Sequence, residues 1–595
     1  MQPRMDVNLS IAGEPEAWVH SACILCSNGC GIDIGVKDGA IVGVRGRVDH
    51  PVNLGHLGPK GEHGWVANAS PRRGRTPMIR PSKSEPLRPV SWAEAMDFFE
   101  ERCRAAWASG HQNLACYNTG QLLLEEFYTL AKLWRGGIGS SNIDGNTRLC
   151  TASAATALTA TFGADGPVAS YADVDQAQLL VLYGHNVAET QTVLWERMLA
   201  AKRANGGRII VVDPRRTPTV HQGADLHLQI RGGTNAALMN GIIHLLIERG
   251  HVARDFVARH TVGFEALAAV AREYPPQRVA DICGIAQSDL EKAAEWIGTT
   301  PRMVSTALMG FYQSVEATAA SSLVNAVHLL TAAIGKPGAG PLLMAGQPSA
   351  MNNRETGCGG SYPAYRNVHN ETHMRELCAL WKLDFERFRP ENCIDILTMM
   401  ERAERGEIEF LWVIGTNPIV SLPDRNRTAR ILRKLFVVVQ DAFVDAETIE
   451  FADIYLPAAM WGEKTGCVTN ADRSVNLLQK AVDPPGEARS DFDVFVEVAA
   501  RLGLKDRDGA PLIAFRVPRA ARCVRGVAEG VEGPPLRLLR HELRAARRAG
   551  RGALAVQPAV PARRRKALRG PALPVGHRRV RELRGRFPHG QPGNA

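Results

Sequence analysis

Short segments that are apolar almost throughout recur along the chain, and they constrain the fold more than any other feature. Strands are predicted at 178–183, 208–212, 410–414 and 435–439, each leading into a polar or glycine-containing loop. A strand that is apolar on both faces is typical of a parallel sheet covered by helices. The chain is therefore predicted to be an α/β protein with ligand-binding loops at the carboxyl ends of its strands.

Length and composition limit the classes of protein that remain. A chain of 595 residues is too long for one domain. It contains no run of about eighteen apolar residues and no hydrophobic leader, so we expect no membrane span and predict a cytoplasmic protein. Its twelve cysteines are too few for a disulfide scaffold at this length and fit a reducing compartment.

Three cysteines near the N-terminus have the spacing of a metal centre. Cys23, Cys26 and Cys30 follow a C-x2-C-x3-C pattern in a loop rich in polar residues and glycine. Thiolates at such short spacing select zinc or an iron–sulfur cluster. A zinc site would require a second C-x2-C pair, which does not follow, whereas a cluster would require one further ligand later in the chain.

Cys150 is a second candidate metal ligand. It stands immediately before a stretch of small residues that predicts a helix. A thiol at the start of a helix has a lowered pKa and is a good ligand for a soft metal. The alternative is a small buried cysteine with a purely structural role.

The segment Asn53–Gly61, which reads NLGHLGPKG, resembles the Asn-x-Gly-x-Leu-Cys-x-Lys-Gly motif of the molybdopterin oxidoreductases. The resemblance implies a 4Fe–4S cluster on the three N-terminal cysteines, with Lys60 between cluster and pterin. The family's fourth cysteine is Gly58 here, which has no ligand atom. His56, a water molecule or a 3Fe–4S cluster are the alternatives that would account for the missing thiolate.

The residues before Cys150 also resemble this family, in its Asn-x-Arg-Leu-Cys segment. The resemblance implies that Cys150 binds molybdenum or tungsten, carried by a bis-molybdopterin guanine dinucleotide cofactor. Arg148 and Asn146 would frame the site, and Arg148 and Lys60 would act beside Cys150 in catalysis.

The loops after the predicted strands are similar to the family's dinucleotide-binding loops. Gly233-Thr234-Asn235 resembles its Gly-Thr-Asp segment, with an amide in place of the carboxylate. No G-x-G-x-x-G fingerprint is present, so a separate NAD site is not expected. The resemblance implies cofactor contacts at Lys60, Asn146, Gly184, Asn186, Asp213, Arg215, Thr217, Gly233, Thr234, Asn235, Gly310, Gln313, Gln347, Arg354, Gly415, Asn417, Gln440 and Asp441.

The segment 346–357, GQPSAMNNRETG, resembles the Gly-Gln-Pro-x-Ala-Met-x-x-Arg-Glu motif of the assimilatory nitrate reductase branch. We therefore predict oxygen-atom transfer from nitrate, giving nitrite, with electrons entering through the cluster from a separate ferredoxin or flavoprotein. Formate oxidation is the alternative, but the formate branch commonly has histidine after the metal-binding residue, and Thr151 stands there.

The resemblance divides the chain into an iron–sulfur domain at 15–65 and two Rossmann-like α/β domains around the pterin. The first of these is discontinuous, at 66–135 and 345–513, and the second covers 136–344. The final 82 residues, 514–595, contain 19 Arg and 1 Lys against 4 Glu.

We interpret this arginine-rich tail as a disordered or frameshifted segment in place of the family's C-terminal β-barrel domain. The basic excess of the whole chain lies in this tail. A disordered tail that binds nucleic acid or membrane is one alternative. In a frameshifted segment the charge has no function, so no nucleic-acid partner is expected. An inactive, truncated remnant is accordingly a third functional alternative.

Overall fold

A five-stranded parallel sheet forms the centre of one half of the protein. The computed structural model describes residues 9–513. The middle strand comes first in the sequence. The next two strands extend the sheet on one side of it and the last two on the other side, so the direction of strand order reverses at the middle strand. From edge to edge the strands are Leu226–Leu228, Arg208–Val212, Leu179–Tyr183, Met303–Ala307 and Gly340–Leu343.

A seven-stranded sheet forms the centre of the other half. Five of its strands are parallel, and two short strands extend one edge in antiparallel pairing. The predicted α/β class with two parallel-sheet halves is thereby confirmed. From edge to edge the strands are Arg88–Pro89, Met78–Ile79, Ile454–Pro457, Phe436–Asp441, Phe410–Ile414, Leu114–Asn118 and Ile143–Gly145.

Helices connect and cover the strands of both parallel sheets. With the five-stranded sheet belong Ala152–Phe162, Tyr171–Gln176, Val187–Thr190, Thr192–Asn205, Pro218–Gly223, Asn235–Glu248, Arg254–His260, Phe264–Arg272, Pro276–Cys283, Gln287–Thr299, Met309–Tyr312 and Ala317–Leu330. With the seven-stranded sheet belong Trp92–Ser109, Leu124–Ala131, the π-helix Lys132–Ile138, Thr147–Cys150, Ala350–Glu355, Glu371–Trp381, Ile396–Glu404, Pro418–Ser421, Arg425–Leu432 and Asp491–Arg501. No helix within residues 9–513 has the length and apolarity needed to cross a membrane.

A small antiparallel sheet precedes these two halves. Its strands run in the order Leu9–Ile11, Ala40–Gly46, Gly31–Lys37 and Ala17–Ala22. The three N-terminal cysteines lie in the connection between the last two of these strands. The short helix Pro59–His63 follows the sheet, and the hairpin Gly466–Thr469 and Val475–Leu478 belongs to the part of the chain after the seven-stranded sheet.

The domain boundaries at 15–65, 66–135 with 345–513, and 136–344 stay a prediction. Strands from 78–145 and from 410–457 share one sheet, with the five-stranded sheet between them in sequence. The strand Ile143–Gly145 lies beyond the predicted boundary at 136, yet it pairs with Leu114–Asn118. By strand pairing, that boundary falls after residue 145. The predictions for 514–595 and for a C-terminal barrel lie outside the described residues.

Two histidines are fully buried in the half that contains the five-stranded sheet. His185 donates to Gln191 Oε1 through Nε2 at 2.9 Å and accepts from the Thr306 hydroxyl through Nδ1 at 2.8 Å. His328 donates to the Ala333 carbonyl and accepts from Ser305, both at 2.8 Å. Burial lowers the pKa of each histidine from 6.5 to about 4, because the charged ring is desolvated there.

These histidines predict that the protein is destabilised by mild acid. As pH falls below 6.5, the unfolded chain binds protons that the folded chain excludes, so the free energy of unfolding decreases until about pH 4. Each histidine accounts for about 2 kcal/mol between pH 7 and pH 5. The expected result is that His185→Asn is less stable at pH 7 but loses less stability on acidification than the wild type.

The measurement is the urea midpoint for loss of the near-ultraviolet circular dichroism at pH 7 and pH 5. The matched control is His63→Gln, because His63 is exposed. An unchanged difference between the two pH values in His185→Asn would contradict the prediction.

Candidate functional site

The carboxyl ends of the strands in the five-stranded sheet meet at the point where the strand order reverses. Gly184 follows the middle strand and Gly310 follows its neighbour, and the Gly310 N–H donates to the Gly184 carbonyl at 3.1 Å. Gly184 has φ of 55°, and a Cβ on it would lie 2.5 Å from the Gly310 carbonyl carbon. The two loops can therefore approach this closely only without side chains at these positions.

Cys150 lies between the two parallel-sheet halves. It ends the short helix Thr147–Cys150, which follows an edge strand of the seven-stranded sheet. Its Sγ is 3.9 Å from Sδ of Met309, which begins the short helix Met309–Tyr312 after the strand Met303–Ala307 of the other sheet. Cys150 also lines a cavity of about 590 Å³, together with Arg148, Ser153, Tyr312, Gln313 and neighbouring residues.

An arginine whose side chain is 12% exposed accompanies the Cys150 thiol. Arg354 pairs with Asp165 through Nε, with a second contact of 3.4 Å from Nη2, and its Nη1 donates to Thr151 Oγ1 at 3.0 Å. The lowered pKa predicted for Cys150 from its place before a helix is wrong: burial raises the pKa, and the opposing effects of the Gly346 N–H and of the Arg354 charge are smaller. The thiol is therefore a protonated, half-buried group that a metal cation would convert to a thiolate ligand.

Arg148 is held differently from Arg354. Its Nε donates to Asp144 Oδ2 at 2.9 Å and its Nη2 to Oδ1 at 3.2 Å. Asp144 also accepts from the Ile396 N–H at 3.0 Å, so this ion pair links the Cys150 helix to the helix Ile396–Glu404. Arg148 reaches the same cavity as Cys150, and its predicted catalytic role stays a prediction.

Several buried acceptors beside Cys150 have no donor within residues 9–513. They include Oδ1 of Asn146 and Oε1 of Gln347, both predicted cofactor contacts. Ser349 Oγ, two residues after Gln347, is likewise buried without a hydrogen-bond partner in the described residues. A buried acceptor left unpaired costs about 1–3 kcal/mol, so these groups need donors from a bound molecule. The amino and ring N–H groups of a pterin meet that need, and the residues present fit the cofactor.

The N-terminal cysteines lie close enough to influence one another. Burial and the neighbouring Cys26 thiol raise the pKa of Cys23 to about 12, while Lys60 lowers it. Burial, Cys23 and Cys26 raise the pKa of Cys30 well above its usual value. Thiolates that repel one another in a buried site require cations, so this donor set fits an iron–sulfur cluster.

No three His, Cys, Asp or Glu side chains within residues 9–513 converge on one metal ion. A cluster is compatible with that arrangement, because its cysteines bind different iron atoms rather than a single centre. The cysteine loop is also held firmly. Ala471 N–H donates to Ser27 O at 2.9 Å, Asn470 Nδ2 to Asn28 O at 3.0 Å, and Tyr171 Oη to Ser27 O at 3.3 Å.

One residue joins the cysteine loop to Cys150. The Ser27 N–H donates to the Gly346 carbonyl at 3.2 Å, and the Gly346 N–H donates to the Cys150 sulfur. Ser27 is adjacent to Cys26 in the chain. The two predicted metal sites are therefore neighbours, as an electron relay requires.

The predicted cofactor residues of the five-stranded sheet collect at its carboxyl edge. Asn186 Oδ1 accepts from the Thr219 hydroxyl at 2.8 Å, and Asn235 Nδ2 donates to the Gly310 carbonyl at 3.4 Å. Gln313 Nε2 donates to the Leu149 carbonyl at 2.9 Å, next to Cys150. The remaining predicted residues of this group are Asp213, which accepts from the Arg215 N–H at 2.8 Å, exposed Arg215, buried Thr217, exposed Gly233 and half-buried Thr234.

The predicted residues of the seven-stranded sheet collect at the corresponding edge. The Gly415 N–H donates to the Gln440 carbonyl at 2.8 Å. Gln440 Nε2 donates to Asp491 at 2.6 Å, while its Oε1 is buried without a donor in the described part of the chain. Asn417 Oδ1 accepts from the Thr448 hydroxyl at 2.7 Å. Burial raises the pKa of Asp441 to about 6.

Three contributors to the Cys150 environment were not among the predicted site residues. They are Met309, Asp165 and Gly346, which supply a thioether contact, a counter-charge and an N–H donor. Met309 and Gly346 directly precede the predicted residues Gly310 and Gln347, so the motifs that contain those residues could have identified them as part of the site. Asp165 lies 189 positions from its partner Arg354, and no local pattern marks that pairing.

Two parallel sheets of the nucleotide-binding type, a half-buried thiol at their junction and a cysteine loop beside it define a redox protein that holds a large polar cofactor. Residues 73–501 match the family model for molybdopterin oxidoreductase, and residues 16–67 match the molybdopterin oxidoreductase Fe4S4 domain. The chain belongs to the molybdopterin oxidoreductase family. The family assigns a molybdenum bis-pterin cofactor and an iron–sulfur cluster to it.

Relatives within this family differ in the substrate that their names give. The chain is 37% identical over 500 residues to a nitrate reductase of Synechocystis sp., covering 82% of this chain and 70% of that protein. It is 32% identical to the F420-dependent formate dehydrogenase subunit alpha of Methanocaldococcus jannaschii, covering 82% and 71%. Acetylene hydratase from Pelobacter acetylenicus shares the fold at TM-score 0.67 and 22% identity, covering 82% and 69%.

The donor sets predict a selective effect of substitution on metal content. In Cys150→Ser, molybdenum should fall to a small fraction of the wild-type content, because a serine hydroxyl is a poor ligand for a soft metal. Iron should remain, because the cysteine loop is untouched. Elemental analysis of anaerobically purified protein measures both metals per chain.

The control for this measurement is Cys103→Ala. Cys103 is fully buried in the helix Trp92–Ser109, away from both sites. The control should retain both metals. An equal molybdenum content in Cys150→Ser and the wild type would contradict the assignment of Cys150 as the metal ligand.

Proposed function

We propose that this protein reduces nitrate to nitrite, with Cys150 as the protein ligand to molybdenum. The observation that carries the proposal is the largely buried Arg354 guanidinium, whose charge lowers the pKa of Cys150 and whose Nη1 donates to Thr151, the next residue in the chain. An arginine held by one carboxylate and one hydroxyl still has a delocalised positive charge that attracts a planar anion. The name of the Synechocystis relative and the Gln347–Arg354 segment support the same substrate.

The chain's own groups would each perform one task. Arg354 would bind and orient the nitrate oxygens, with Asp165 and Thr151 fixing its plane. The Gly346 N–H would stabilise the Cys150 thiolate. When bound, the molybdenum–pterin group supplies the acceptor for an oxygen atom, which no side chain here can provide.

The pterin would be held by the unpaired acceptors of Asn146 and Gln347. Its two dinucleotide arms would lie along the carboxyl edges of the two sheets. In the five-stranded sheet we propose contacts from Gly184, Asn186, Asp213, Arg215, Thr217, Gly233, Thr234, Asn235, Gly310 and Gln313. In the seven-stranded sheet we propose contacts from Gly415, Asn417, Gln440 and Asp441.

Electrons would reach the site through the cluster on the N-terminal cysteines, with Lys60 and its positive charge beside it. The donor would be a separate ferredoxin-like protein or flavoprotein. Leu25 and Val66 are exposed apolar residues on the segments that carry Cys26 and Lys60, and they offer a docking surface. We propose a cytoplasmic location, because the cysteines described by the structure are all free thiols.

Formate oxidation is the second candidate, favoured by the name of the Methanocaldococcus relative. The position after Cys150 argues against it, since Thr151 is occupied as the acceptor for Arg354 and has no group that takes up a proton near neutral pH. Viologen-linked nitrate reduction and formate oxidation, measured on the same preparation, separate the two. Formate oxidation without nitrate reduction would overturn the proposal.

A substitution at Arg354 tests the role of its charge and geometry. Arg354→Lys keeps the charge but loses the fork that contacts Asp165 and Thr151 together. The KM for nitrate should rise on the order of tenfold or more, with molybdenum content retained. Steady-state kinetics with reduced viologen measure this.

The matched control is Arg402→Lys, since Arg402 pairs with Asn142 and Glu407 on the outer side of the seven-stranded sheet. Its KM should equal that of the wild type. An unchanged KM for nitrate in Arg354→Lys would contradict a role of Arg354 in substrate binding.

A further inference from the structure

Gly58 stands where the family's fourth cluster cysteine would be. The space that a side chain at this position would enter is not empty. It precedes the helix Pro59–His63 with φ of −83° and ψ of 161°, an extended backbone that any residue adopts. Glycine is therefore not required by the chain geometry at this position. What limits it is a neighbour: a Cβ on Gly58 would lie 2.5 Å from Oγ1 of Thr192.

Thr192 is the first residue of the helix Thr192–Asn205 and is half-buried. Its hydroxyl has no hydrogen-bond partner within residues 9–513. Because Thr192 is β-branched, two of its three staggered rotamers keep a heavy atom directed at the same place. The volume that the side chain of a cysteine at 58 would enter is thus occupied by the Thr192 side chain.

His56, the nearest imidazole in the same segment, is directed elsewhere. Its Nδ1 lies 3.6 Å from Glu196 Oε2, and its side chain lines a groove with Val193 and Arg197. Lys60, by contrast, is close enough to lower the pKa values of Cys23 and Cys26. The alternative in which His56 supplies the missing ligand is therefore not favoured by the structure.

We propose that Thr192 replaces the fourth cysteine as the oxygen donor at one corner of the cluster, and that the iron at this corner exchanges with ferrous ion in solution. A neutral hydroxyl is a harder and weaker ligand for this iron than a thiolate. The other three corners have the thiolates of Cys23, Cys26 and Cys30. The proposal rests on the assignment of a cluster to these cysteines, not on which substrate the enzyme uses.

The exchange step is an oxidation. A one-electron oxidant takes one electron from the four-iron cluster, and one ferrous ion leaves the Thr192 corner, so that three ferric ions and four sulfides remain. A reductant with ferrous ion reverses it, returning one electron and one iron. The consequence is an electron relay that depends on the supply of ferrous ion and on the redox state of the surroundings.

The test compares the wild type, Thr192→Cys and Thr190→Cys, each reconstituted anaerobically with ferrous iron and sulfide. Each is then treated with one equivalent of ferricyanide. Thr192→Cys places a thiol near the hydroxyl's position, whereas Thr190→Cys introduces the same group two residues away as the matched control. Iron per chain and the electron paramagnetic resonance spectrum are measured before and after oxidation.

In the wild type and Thr190→Cys we expect the loss of about one iron per chain and the sharp signal of an oxidised three-iron cluster. In Thr192→Cys we expect about four irons to remain and that signal to be absent. Retention of four irons by the wild type after oxidation would overturn the proposal, as would iron loss from Thr192→Cys equal to that from the control.

A fourth variant separates this inference from the cluster assignment. Cys26→Ser should contain far less iron than the wild type, because it removes one of the three thiolates. If Cys26→Ser holds as much iron as the wild type, the cluster assignment itself is wrong. If Cys26→Ser loses iron but the Thr192 variant behaves like the control, the cluster assignment is retained and the proposal of an exchangeable iron at Thr192 is wrong.

Discussion

The close backbone contact between Gly184 and Gly310 is the constraint on which the geometry of the site depends. It brings together two loops from neighbouring strands at the reversal of strand order, where a side chain on either would separate them. Met309 directly precedes Gly310, so the same contact places its sulfur 3.9 Å from Cys150. Asn235 donates to the Gly310 carbonyl and ties a third loop to this point. The backbone at the sheet edge therefore determines how the two halves meet.

A second constraint is electrostatic, and it lowers the stability of the folded protein when the cofactors are absent. The thiols of Cys23 and Cys30 are buried, and burial and neighbouring thiols raise their pKa values. Oδ1 of Asn146 and Oε1 of Gln347 are buried acceptors without donors in the described structure. Such groups are costly in an empty site and favourable once cations and pterin N–H groups are present. Metal and cofactor binding should therefore contribute to folding stability as well as to catalysis.

The sequence predicted those parts of the structure that depend on local patterns. Apolar strands such as Phe410–Ile414 were predicted at their observed bounds, because burial on both faces leaves no polar positions. Residues 121–135 have apolar side chains at helical spacing, yet the helix begins only at Leu124, and after Ala131 it continues as a π-helix to Ile138. The wider turn of a π-helix has no signature in residue spacing. Pairs distant in sequence, such as Asp165 with Arg354 and Gly58 with Thr192, depend on tertiary packing and could not be predicted.

Gly346 connects the two metal sites through its backbone. Its N–H donates to the Cys150 sulfur and its carbonyl accepts from Ser27, the neighbour of Cys26. A thiolate at Cys150 strengthens the first of these hydrogen bonds, because charged acceptors bind N–H groups more tightly. The position of Gly346 then restrains the loop that carries Cys26. Assembly of the molybdenum site should in this way order the cluster loop, since both sites share one residue of backbone.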